Sequence, residues 1–108
     1  MPSVFDLLED IRKRPEMFVG MTSEDRGSQL RHIEMVLRGY GLAIDRHGID
    51  EPGKDFLSAF DRYLREHRSW TAYSGIGAIA AVQKHATSGE EAWKLFWELV
   101  DEFRDSLT

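Results

Sequence analysis

Residues 88–106, SGEEAWKLFWELVDEFRDS, decide the fold class. Ser88 and Glu91 stand in S-x-x-E spacing, the signature of a capping box in which each side chain satisfies a backbone N–H at the other residue. Behind that cap Ala92, Leu95, Phe96, Leu99 and Phe103 recur at intervals of three and four. At helical pitch these five fall within about 100° of one another. Trp93 and Trp97 lie on one flank of the stripe, and Glu91, Glu98, Glu102 and Asp105 line the other. An amphipathic helix with an indole flank and a carboxylate flank follows.

The same period runs upstream. Phe56, Leu57, Phe60, Tyr63 and Leu64 predict a helix from Lys54 to Arg68, and Leu30, Ile33, Leu37, Tyr40 and Ile44 predict another from a Ser28 cap to about His47. Gly39 and Gly41 each weaken that second helix by about 1 kcal/mol relative to alanine, so a close-packed neighbour or a kink is expected there. HGIDEPG, residues 47–53, is a loop. Thr71 to His85 is rich in alanine and glycine around Ile76, Ile79 and Val82, which invites close approach of another helix. At the start, Ser3 and Asp6 form a capping box ahead of Val4, Leu7, Leu8 and Ile11. Arg12, Lys13 and Arg14 load the helix end that favours cations, and Pro15 stops it. Met17, Phe18 and Val19 are too few for a strand and Gly20 reads as a turn, so RPEMFVG (Arg14 to Gly20) is expected to lie extended on the core. The whole is expected to be all-α: one compact domain over residues 1–108, of about five helices with an extended RPEMFVG turn after the first.

Composition bounds the function. A chain of 108 residues and 12.5 kDa should expose roughly 6,200 Å² when folded against roughly 18,000 Å² when extended, enough burial for a core without staples. There are no cysteines, which excludes disulfides and thiolate metal or redox sites. The longest apolar run, IGAIAAV at residues 76–82, cannot span a bilayer, and no signal segment is recognisable at the start. A cytoplasmic setting is the expectation. Nineteen acidic against fourteen basic residues leave a net charge of −5. That balance argues against direct nucleic-acid binding and against membrane affinity, and it permits a basic protein partner.

Catalytic signatures are weak. GIGAIA (Gly75 to Ala80) has the spacing of a dinucleotide fingerprint but lacks the preceding strand and the rest of a βαβ unit, so it reads as small residues at a helix crossing. His32, His47, His67 and His85 form no HExxH or i, i+4 pair, so no metal or cofactor is expected. Ser69 reads as a cap rather than a nucleophile. Glu98 and Glu102 have the separation of paired catalytic carboxylates, but on one exposed face they flank no cleft. The acidic flank is therefore either a solvated face or a docking surface for a basic partner, where complementary charge speeds encounter and sets register. Trp93 and Trp97 are either anchors of that interface or part of a wide core arc.

RKRPEMFVG, Arg12 to Gly20, resembles the RKRPGMYIG segment near the start of the ATPase domain of the DNA gyrase B subunit, with Glu16 where that pattern has glycine. The magnesium-binding Asn helix, the adenine-binding Asp-Gly turn and the Gly-rich lid have no counterpart, so ATP hydrolysis is not implied. Mimicry of the gyrase arm is the one functional idea the segment offers. A second resemblance spans residues 11 to 103. Ile11, Arg14-Pro15-x-Met17-Phe18-x-Gly20, Gly39-Tyr40, Ser69-Trp70 and Glu91-Ala92-Trp93-x-Leu95-Phe96-Trp97-Glu98-Leu99 resemble small bacterial proteins of the pattern KRPGMYxG…GY…SW…EAFxxFFELLxEF. Some of these are similar to immunity proteins encoded beside secreted toxins. Trp93 and Trp97 replace phenylalanine, and the Gly-rich fourth segment departs from the pattern. The resemblance implies a small non-catalytic protein with a protein partner.

The sequence reading is thus an immunity-type inhibitor that occludes a basic toxin domain, with Glu91, Glu98, Glu102, Asp105, Trp93 and Trp97 as partner-binding residues. A homo-oligomeric helical scaffold, its symmetric interface packed by the two tryptophans, is the alternative. An enzyme without a recognisable motif is the third reading.

Overall fold

The computed structural model describes residues 3–19, 25–50, 55–68, 70 and 77–107. The expected features at Gly20, Lys54, Ser69, Thr71, Gly75 and Ile76, and the end of the HGIDEPG loop, lie outside the described residues. Within them the secondary structure is all-α: six helices and no strand.

Helix α1 (Val4–Lys13) starts at Ser3 as the sequence predicts. The Phe5 N–H donates to Ser3 Oγ at 3.2 Å, and the Ser3 N–H donates to the Asp6 carboxylate at 2.7 Å. Its buried face is Val4, Phe5, Leu8 and Ile11, with Leu7 only half-buried. The next segment differs from expectation. Residues Pro15–Val19 form a short helix, α2, instead of an extended turn. Proline lacks the N–H that a continuing helix needs, yet its fixed φ suits the first position of a new one, so Pro15 ends α1 and opens α2. Only Val19 of α2 is buried; Met17 is 69% exposed and Phe18 36%.

Helix α3 (Arg26–Arg46) is capped by Asp25, not Ser28. The Ser28 N–H donates to the Asp25 carboxylate at 3.2 Å, which puts Ser28 inside the first turn. Leu30, Ile33, Leu37 and Ile44 are buried and Tyr40 is half-buried, as the period requires. Gly39 faces solvent, and a Cβ there would meet nothing within 4 Å among the described residues, so none of the described helices packs closely on it. Helix α4 (Phe56–Arg68) buries Phe56, Phe60 and Leu64. Helix α5 (Ala78–Lys84) buries Ala78, Ile79, Ala81 and Val82, and its small residues let it sit among α3, α4 and α6.

Helix α6 (Gly89–Ser106) is central to the core. Phe60, Phe96 and Phe103 pack with centroid separations of 5.6 Å (Phe60–Phe103) and 6.0 Å (Phe60–Phe96), and Phe5 and Phe56 close the cluster from α1 and α4. The N-terminal ends of α3 and α6 meet tightly. A Cβ on Gly89 would stand 3.2 Å from the Gly27 backbone nitrogen. The accessible surface is 6,620 Å² and the radius of gyration 13.4 Å, against about 13 Å for a compact chain of this length.

Candidate protein-binding face

Ser88 caps α6 by accepting from the Glu91 N–H at 3.1 Å. The return half of the capping box is replaced: the Glu91 carboxylate accepts from the Thr87 hydroxyl. From that fixed start, helical pitch sets the faces. The buried residues are Ala92, Trp93, Phe96, Trp97, Leu99, Val100 and Phe103, an arc of about 160°. Its centre lies about 70° toward the tryptophan flank from the centre of the predicted stripe. Leu95 is left at the edge, half-buried, and Val100, outside the predicted stripe, is buried near the centre of the arc.

Trp93 and Trp97, expected as possible anchors on the partner-binding face, are therefore core residues, 7% and 4% exposed. Their rings meet edge to face at 5.6 Å. Each is roofed by an arginine from another helix. The Arg26 guanidinium sits 4.2 Å above the Trp93 ring and pairs with Glu90 at 3.4 Å. The Arg12 guanidinium sits 5.4 Å from the Trp97 ring and bonds both oxygens of Asp101, at 3.0 and 3.2 Å. Sequence reasoning assigned Arg12 to the α1 dipole and missed this bridge, whose partners are 89 positions apart. The Trp97 indole N–H is buried with no acceptor among the described residues.

Glu91, Glu98, Glu102 and Asp105 are all exposed. Their mean direction lies about 180° from the centre of the buried arc, so they form the outer ridge of α6. Glu102 accepts from Arg68 at 2.8 Å, an exposed pair of small energetic weight. Among the described residues Glu98 makes no ion pair. The ridge thus spreads four carboxylates over about 21 Å, with exposed Lys94 and half-buried Leu95 in the turn between Glu91 and Glu98, on a helix whose opposite side is locked into the core.

Other candidate residues disperse. His32 Nδ1 lies 2.7 Å from the Ser28 carbonyl oxygen, His67 packs on Tyr63 and His85 stacks on Trp70 at 4.0 Å. No group of three metal-ligating side chains gathers among the described residues. No helix among the described residues is long and apolar enough to cross a membrane. Gly77, in the GIGAIA stretch, caps α5 with φ of 93°, and Ala78, Ile79 and Ala81 face the core. Compared with models of protein families, with curated proteins and with solved structures, the chain matches none.

Proposed function

We propose that the chain is a non-catalytic binding protein of the immunity type, which acts in the bacterial cytoplasm by covering a basic toxin domain with the outer ridge of α6. The observation that supports this reading is the row of Glu91, Glu98, Glu102 and Asp105, solvent-facing on a helix anchored by seven buried side chains. A rigid acidic strip suits a basic cleft because it needs no ordering on binding, and its field accelerates encounter. The tryptophans hold the helix in place and the acids make the contact. Burial of both indoles inside the monomer counts against the alternative of a tryptophan-packed symmetric scaffold.

Affinity purification of the tagged chain from its native cells tests this. Stoichiometric recovery of one protein with a basic domain is the expected outcome. Recovery of gyrase subunits would replace it with the mimicry idea, and recovery of the chain alone would end it.

A further inference from the structure

The outer face of α3 leaves two large apolar side chains in water on one helix face. Met35 is 65% exposed and Leu42 is 66% exposed. Gly39 lies between them, open to solvent, and all three point within about 60° of one another, away from the buried stripe. A glycine inside a helix costs about 1 kcal/mol relative to alanine, and no contact among the described residues requires one at position 39. Arg31, Arg38 and Arg46 border the patch, with Glu34, paired to Arg38, and Asp45 on the Arg38 side. The result is a notch between two apolar knobs, fringed by guanidinium groups, in a chain whose net charge is −5.

The outer ridge of α6 is its counterpart. Leu95 is partly exposed at the edge of the ridge, and Glu91, Glu98 and Glu102 are its neighbours at i−4, i+3 and i+7. Arg31 to Arg46 extends about 22 Å and Glu91 to Asp105 about 21 Å. Within one chain these faces cannot meet, because α3 and α6 pack on each other through their buried sides. We infer that the α3 face of one copy docks on the α6 ridge of a second copy, with Leu95 seated over Gly39 between Met35 and Leu42. The arginine fringe then faces the glutamates.

Charge selects this occupant. Two α3 faces brought together would each present three arginines against two acids, Glu34 and Asp45, so like charge would face like charge on balance. An anionic lipid surface would gain nothing from the notch at Gly39. The ion pairs Arg38–Glu34 (3.6 Å) and Arg68–Glu102 (2.8 Å) are solvent-exposed on at least one partner, so exchanging them across the contact costs little. Because the two docking surfaces differ, the contact is head-to-tail, and association proceeds beyond a dimer unless the ring closes. No foreign partner is needed, so failure here leaves the proposed function standing, and failure of that function leaves this contact standing.

Sedimentation velocity of the whole chain from micromolar to near-millimolar concentration tests it. Wild-type mass is expected to rise with concentration and to fall back as salt is added. Arg31→Glu/Arg38→Glu and Glu98→Arg/Glu102→Arg are each expected to remain monomeric alone. Mixed one to one they are expected to associate, since each then meets an opposite-charge face on the other. Gly39→Leu, which fills the notch on an open helix face, should abolish self-association while the melting temperature holds or rises. Concentration-independent wild-type mass, self-association of either reversed variant alone, or a mixture that stays monomeric overturns the inference.

Discussion

Helices α3 and α6 are the two longest elements, and they spend their apolar residues differently. On α6 every large apolar side chain of the helix body falls in or beside the buried arc, even two tryptophans, and the outer side is carboxylate. On α3 two large apolar residues, Met35 and Leu42, stand in water beside an open glycine. The comparison separates residues that the monomer uses from residues it does not. The apolar residues of α6 are accounted for by packing, and its outer carboxylates are not. No packing among the described residues accounts for the α3 face.

The sharpest break of that comparison is in the α6 core. Phe96 is fully buried against Phe60 and Trp97, so Phe96→Ala should cost about 3–5 kcal/mol in chemical denaturation. A loss below about 1 kcal/mol would mean that α6 faces another way. Next comes Gly77, whose φ of 93° side chains rarely adopt and whose added Cβ would stand 3.2 Å from Glu34 Oε1. Gly77→Ala should destabilise by about 1–3 kcal/mol. Ser88→Ala removes the α6 cap and should cost about 1 kcal/mol. Gly39→Ala has the opposite sign: with open space at the Cβ it should stabilise the monomer by about 0.5–1 kcal/mol. Thermal melts of the two glycine variants side by side give the sign directly. Smallest is the double variant Met35→Ser/Leu42→Ser, expected to stay within about 0.5 kcal/mol per site of the parent because neither side chain is packed. A large loss there would place α3 in the core on both sides.

The long periodic helices were legible because a buried stripe imposes its period on the sequence, and the Ser3 and Ser88 caps because capping is local. Three features were not. Helix α2 has five residues, too few to show a period, and Pro15 is equally a stop for one helix and a start for the next. The direction of α6 was read from Leu95 and the aliphatic residues, whereas the core took the tryptophan flank; a period gives relative angles but not which flank a neighbour covers. The roofing of Trp97 by Arg12 and Asp101 joins residues 89 positions apart, for which one sequence holds no signal. The exposed Met35 and Leu42 were discernible, since both fall outside the Leu30–Ile44 stripe. The acidic ridge was placed correctly as a flank, and the structure adds that it is the outermost line of α6.

The proposal that the outer ridge of α6 is a docking face is tested most directly by association kinetics between the chain and a protein recovered with it by affinity purification, measured across a range of salt concentrations for wild type and Glu98→Arg/Glu102→Arg. Electrostatic docking predicts that reversal slows association about tenfold or more at low salt and flattens its salt dependence. An unchanged association rate with an unchanged salt slope would contradict it, and would leave the four carboxylates as a solvated face.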